Sequence, residues 1–375
     1  MLRIMKNLWV ALRASAVLGL LVLTVSCGTV KPRMADSVVM PVYYATDRKP
    51  AMPLEVWQEE LPERGSRLQY YGAEYDPARL ETGICPISVP TARHQPGVVE
   101  RPGWYGAREN PARHFVITAL RPLDTDEFFA RLNRRLTNSG CREVAVFIHG
   151  YNVTFSTAAL YTCQLSWDWG FQGVPILYSW PSHGTLLAYP RDEESARLTE
   201  GHLRLFLQEI LVKSAATNVH LVAHSLGCRV LTEVLKTFEG EANQPLFGEV
   251  VLAAPDINRV GFLQDVAHTL PRVARRVTLY ASSTDKALRA SNSLHQYARA
   301  GSAGADLTVC GGIDTIDASE VDTSLLGHNY LVKSPAVIED IADVICRGLP
   351  LEERNLTRET RDGLIYWKLN KEPRQ

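Results

Sequence analysis

A chain of 375 residues with 46% apolar and 22% charged side chains has the composition of a globular protein and enough material for a large core. Its formal net charge of −1, with no basic block anywhere, argues against a nucleic-acid partner.

The N-terminus reads as an export signal. Arg3, Lys6 and Arg13 form a basic head, and Ala14 to Val25 is an apolar run too short to span a bilayer comfortably. The run ends in Leu23-Thr24-Val25-Ser26-Cys27-Gly28, which resembles a bacterial lipobox, with Thr24 where Leu is commoner. The resemblance implies removal of residues 1–26, acylation of Cys27 and anchoring to a membrane of the cell envelope. Gly28 in place of Asp resembles proteins sorted to the outer membrane, and an ordinary signal peptide cleaved nearby is the alternative. Six cysteines follow: Cys85, Cys141, Cys163, Cys228, Cys310 and Cys346. An even number in an exported protein permits disulfides, buried free thiols fit equally well, and the spacing matches no zinc signature.

After a short polar tether, Val38 to Ala45 reads as a strand. Thr46 to Ala112 is rich in Pro, Gly, Tyr and Arg with weak periodicity, which predicts an irregular cover rather than a separate domain. His114 to Leu120 reads as a strand and Asp124 to Ser139 as a helix, with Phe128, Phe129, Leu132 and Leu136 at helical spacing. Strand and helix then alternate. Strands are expected at Glu143–Ile148, Val174–Trp180, Val219–Ala223, Glu249–Ala254, Arg276–Ala281 and Asp306–Gly311. Helices are expected at Ser156–Trp169, Glu193–Ser214, after Ser225, and at Ala336–Arg347. This order predicts one α/β domain over residues 38–348, a mostly parallel sheet with helices on both faces. Residues 349–375 are charged and read as a peripheral tail, although Leu364-Ile365-Tyr366-Trp367 has the composition to dock.

The run Val219-His220-Leu221-Val222-Ala223-His224-Ser225-Leu226-Gly227 carries the chemistry. An apolar strand that turns into a helix with Ser at the corner is a nucleophile elbow, and it needs very small residues two positions either side of the serine. Ala223 and Gly227 supply them. A serine hydroxyl needs a base, and the base needs an acid to hold its tautomer. In this topology the partners follow as acid, then His, on loops at the carboxyl ends of strands. Asp285, after the second strand beyond the elbow, is the expected acid, with Asp256 after the first as the alternative. His328, after the final strand, is the expected base. The oxyanion donors are expected to be the backbone amides of Leu226, at the start of the elbow helix, and of Tyr151, after the strand that runs into His149-Gly150. Cys228 reads as a core residue, and Trp167, Trp169, Trp180 and Tyr189 as pocket or core aromatics.

Strand-His149-Gly150-Tyr151-Asn152, Tyr178-Ser179-Trp180-Pro181-Ser182, Ala223-His224-Ser225-Leu226-Gly227, Ala254-Pro255-Asp256 and Gly327-His328 together resemble the α/β-hydrolase superfamily. More narrowly they resemble bacterial esterase- and lipase-like proteins of mostly unassigned substrate. The resemblance covers about residues 38 to 348 and implies a Ser225–Asp285–His328 triad that hydrolyses a carboxylic ester, small-molecule or lipid, through an acyl-enzyme. Neither metal nor organic cofactor is implied. A non-catalytic lipoprotein module on the same fold, and an acyltransferase using the same residues, are the competing expectations.

Overall fold

A computed structural model describes residues 36–51, 65–103, 107–185, 188–240, 244–321 and 328–371. Residues 1–26 and Cys27, to which the export and lipidation expectations refer, lie outside the described residues. Most of the chain is organised on one sheet. Its strands are β1 (Val38–Thr46), β4 (Glu81–Val89), β5 (Val116–Ile117), β6 (Arg121–Leu123), β7 (Glu143–Ile148), β8 (Val174–Ser179) and β9 (Asn218–His224). They continue with β10 (Phe247–Ala253), β11 (Ala274–Ala281), β12 (Asp314–Asp317), β13 (Leu356–Arg361) and β14 (Leu364–Leu369). Two short strands, β2 (Arg48–Pro50) and β3 (Tyr71–Tyr75), pair apart from it.

The order across the sheet is β13-β14-β12-β11-β10-β9-β7-β8-β1-β4-β5, with β6 also on β4. Pairing is parallel from β1 through β14 and antiparallel where β4 and β13 flank that run. The chain leaves β7 for β8 on one side and returns to β9 on the other, so the strand order reverses between β7 and β9. Loops leaving the carboxyl ends of these two neighbours diverge there and open a crevice, the place where doubly wound sheets bind ligands.

Period-two alternation fills both faces. Val144, Val146 and Ile148 of β7, and Leu221 and Ala223 of β9, enter one apolar cluster; Ala145 and Phe147, and Val222, enter the other. Helices α1 (Thr125–Ser139), α4 (Glu200–Lys213) and α5 (Leu226–Leu235) send Phe128, Leu132, Leu203, Phe206, Val230 and Leu231 into the first. Helices α2 (Phe155–Asp168) and α7 (Pro335–Ile345) cover the second with Ala158, Leu160, Ile338 and Ile341. The remaining long helices, α3 (Tyr189–Leu198) and α6 (Lys286–His295), stand over the carboxyl ends of the strands near the crevice.

Four expectations about strands, cover and tail need correction. The stretch Thr46 to Ala112 is not wholly an irregular cover, because it supplies β4, which pairs with β1 over nine rungs and is buried along most of its length. His114–Leu120 yields only the two-residue β5. Asp306–Gly311 forms no strand; the strand beside β11 is Asp314–Asp317. Residues beyond Pro350 form the β13–β14 hairpin that extends the sheet, with Trp367 and Leu369 buried. Arg354, which leads into it, is fully buried and forms a paired contact with Asp340. All six cysteines from Cys85 to Cys346 are free thiols.

Candidate active site

Ser225 occupies the corner between β9 and α5 with φ 54° and ψ −121°, a region that a non-glycine residue enters only under strain of about 1–3 kcal/mol. The corner is held by its own backbone. Ser225 N–H donates to Ala253 O at 2.9 Å, and Ser225 O accepts from Cys228 N at 3.0 Å. The need for small neighbours is visible directly. A Cβ on Gly227 would lie 2.4 Å from His149 O and 2.7 Å from Ile148 O, so α5 packs against the end of β7 with no room for a side chain. A Cβ on Gly150 would lie 2.9 Å from Ser225 Cβ, which places the Gly150 backbone against the Ser225 corner. Ala223 is fully buried, and its methyl is accommodated where glycine is commoner.

The three side chains that the sequence singles out are brought together. His328 Nε2 lies 2.7 Å from Ser225 Oγ, and His328 Nδ1 lies 2.8 Å from Asp285 Oδ2. A carboxylate only accepts, so Nδ1 carries the ring proton and Nε2 is left to accept from the serine hydroxyl. Asp285 is also the N-cap of α6, its Oδ1 accepting from Leu288 N–H at 2.9 Å. The capping and orienting roles thus fall to different oxygens of one carboxylate. Asp256 is committed elsewhere: it accepts from Tyr189 Oη at 2.6 Å and Ser291 Oγ at 2.8 Å, and it pairs with Arg299 Nε at 3.2 Å. Leu226 opens α5, where its amide is among the orphan donors of a helix N-terminus. Tyr151 sits three residues beyond β7, directly after Gly150.

Two further histidines flank the site and are neutral. Burial and the neighbouring His328 push His224 down to about 3. Its Nε2–H donates to His328 O at 2.7 Å, fixing the backbone that carries the His328 ring. Burial, then the Arg48 charge, hold His149 well below the usual imidazole range. Its Nδ1–H donates to Gly150 O at 2.8 Å, and its ring stacks on Trp180, whose Nε1–H donates to His149 O at 2.6 Å.

Arg48, at the start of β2, was not singled out by the sequence. It is buried and distributes its donors over the loops that follow β7 and β8 beside Ser225 and over β3. Nε reaches Ser179 Oγ at 2.9 Å; Nη1 reaches Ser182 O at 2.8 Å and Gly72 O at 3.0 Å; Nη2 reaches Val153 O at 2.8 Å and His149 Nε2 at 3.3 Å. Burial lowers its pKa to about 9, a shift opposed by the charges of Asp47 and Asp192. Asp192, also fully buried, accepts from Asn152 N–H and His183 N–H, tying α3 to the same loop. The one sequence signal for Arg48 is its position just beyond the carboxyl end of β1. Of the four aromatics considered for a pocket, Tyr189 borders a cavity of about 170 Å³ beside His328, with Tyr151, Ala287, Ala290 and Leu294. Trp180 and Trp169 are core residues, and Trp167 packs at the edge of the second cluster.

A hydroxyl bonded to an imidazole that a carboxylate orients can pass its proton to the ring as it attacks, which is the arrangement required for nucleophilic acyl transfer. The chain has similarity to several solved structures. One is a protein from Listeria innocua, 15% identical, with a TM-score of 0.36, covering 62% of this chain and 100% of that one. A metagenomic carboxyl esterase is 13% identical, with a TM-score of 0.31 over 56% of this chain and 77% of its own. A cutinase from Trichoderma reesei is 13% identical, with a TM-score of 0.24 over 40% and 73%. A search of curated proteins found no match. Residues 124–347 match the model of a family described as alpha/beta hydrolase of unknown function (DUF900), and the chain belongs to that family.

Proposed function

We propose that the protein is a serine hydrolase of carboxylic esters. The observation that supports this most is the continuous hydrogen-bonded chain Ser225–His328–Asp285 at the point where the strand order reverses. Ser225 Oγ attacks the acyl carbon while His328 Nε2 takes its proton, and Asp285 stabilises the imidazolium that forms. The amides of Leu226 and Tyr151 receive the oxyanion, the first aided by the positive end of α5. His328 returns the proton to the departing alcohol. Water then enters by the same route, releases the acid and regenerates the serine.

The test is hydrolysis of p-nitrophenyl esters from acetyl to palmitoyl by the wild type and by Ser225→Ala. Removing the nucleophile of a triad lowers kcat by about 10⁴–10⁶-fold. Equal rates in the two proteins refute the assignment of Ser225.

A further inference from the structure

The small cavity beside His328 does not stand alone. A second, larger one of about 570 Å³ adjoins it, and Asp256 lines both. The adjacent residues Tyr189 and Pro190, and Leu294 and His295, likewise fall one in each. The two differ in chemistry. In the smaller cavity alanine, leucine and tyrosine side chains dominate, and about 170 Å³ is close to the volume of an engineered apolar cavity that holds one benzene ring. That is room for an acyl chain of about six carbons, and too little for a palmitoyl chain.

The larger cavity is walled by charge. The guanidiniums of Arg197, Arg229 and Arg299 are interspersed with the carboxylates of Glu193, Glu194, Glu233 and Asp265. Arg229 pairs with Glu193 at 2.9 Å, and Arg299 with Asp256 across the shared wall at 3.2 Å. An alkyl chain placed there strips water from these groups without replacing its hydrogen bonds. A phosphate or carboxylate meets more carboxylates than guanidiniums. Neutral hydroxyl groups, which donate and accept, satisfy both kinds of wall. Two observations point the same way. Arg299 is 5% exposed, yet its Nη2 has no hydrogen-bond partner among the described residues. Tyr297, on the lining, is 60% exposed and offers an amphipathic ring face.

Resting on the hydrolase reading above, we propose that the charged cavity receives the alcohol half of the ester. The substrate class is then a short-chain acyl ester of a polyhydroxylated, sugar-like alcohol. Ser225 takes the acyl group into the small cavity, the alcohol leaves from the charged one with the proton from His328, and water releases the short-chain acid.

The experiment compares kcat/KM for acetyl, hexanoyl and palmitoyl esters of methyl glucoside with the same acyl esters of ethanol. Wild type, Ser225→Ala and Arg229→Gln are assayed, with Glu233→Gln as a second variant of the same wall should Arg229→Gln not fold. The expected result is Ser225-dependent hydrolysis at least tenfold faster on the glucoside acetate than on ethyl acetate, with palmitoyl esters poorest. The wall variant should reduce that preference about tenfold, through KM. Ser225-dependent hydrolysis that ignores the alcohol, or that rises toward palmitoyl, overturns this inference and leaves the hydrolase reading standing. No Ser225-dependent hydrolysis of any ester overturns both.

Discussion

Replacing Gly227 by alanine sets two effects of opposite sign against each other. Alanine is the better helix former by about 1 kcal/mol, so on propensity alone α5 gains stability. Packing acts the other way. The new Cβ would stand 2.4 Å from His149 O and 2.7 Å from Ile148 O, both backbone atoms at the end of a central strand. Relief to an ordinary contact of about 3.4 Å moves α5 away from β7 by roughly 1 Å, and overpacking of this kind costs about 1–3 kcal/mol. Net stability should therefore fall by as much as about 2 kcal/mol. The larger consequence is chemical, because Ser225 and the Leu226 amide move with the helix while Gly150 and Tyr151 stay with β7. A misplacement of about 1 Å lowers a rate by about 10²-fold. The assay is kcat on p-nitrophenyl butyrate, normalised by active-site titration, alongside thermal unfolding of the same samples. Wild-type kcat with a raised Tm would refute the packing described for the elbow.

Three other outcomes are expected. Asp285→Asn should lower kcat by about 10⁴-fold, as loss of the orienting acid does in such triads; Asp256→Asn should lower it at least a hundredfold less in steady-state assays, and the reverse ranking would reassign the acid. Arg48→Lys keeps a positive charge but leaves at least two of five acceptors unmet, so stability should fall by about 2–4 kcal/mol. Its kcat should fall about tenfold or more at nearly constant KM, and unchanged kcat in the folded variant would show that the oxyanion loop does not depend on the clamp. The third concerns acid. His224 is held at about 3 in the folded chain against about 6.5 unfolded, so the unfolded state takes up the proton first as pH falls. Its stabilising contribution is complete above about pH 6.5 and is lost progressively toward pH 3, the loss reaching about 2 kcal/mol at pH 5. Urea unfolding of wild type and His224→Gln at pH 7.5 and 5.0 measures this, and equal pH dependence in the two proteins would refute it.

What the sequence revealed depended on how tightly local geometry restricts residue choice. The elbow was legible because a sharp strand-to-helix turn tolerates little beyond Gly and Ala at positions 223 and 227. Asp285 and His328 followed from chain order once the alternation of strands and helices was clear. Elsewhere tertiary contacts overrode the local pattern. The helix expected from Glu193 to Ser214 breaks into α3 and α4 at Thr199, where the side chain turns to Tyr178 Oη at 2.8 Å and Asp47 Oδ2 at 2.5 Å. Leu307-Thr308-Val309-Cys310 has a strand's composition but folds back, with Thr315 Oγ1 donating to Thr308 O, and the short, acid-flanked Asp314–Asp317 takes the place beside β11. Strand β4 was hidden by Pro86, which reads as a breaker. In the sheet it stands directly opposite Pro41, so two missing donors fall on a single rung. Arg48 was missed for a different reason: its five partners come from segments up to 134 residues away, and no local pattern encodes them.

The position of β1 bears on how this protein can be cut. Tyr43 pairs with Ile176, and β12 is covered on its far side by β14, so both flanks of the family-matched segment are closed by strands outside residues 124–347. A fragment trimmed to that segment would leave β8, with Val174, Ile176 and Leu177, as an unpaired apolar edge, a template for intermolecular strand addition and aggregation, and would uncover the short β12 at the other margin. It would also lack the guanidinium that ties the two crevice loops together. The flanking sequence therefore closes the sheet at both margins, and shortened versions intended for crystallisation or engineering should begin no later than Val38 and retain Leu369.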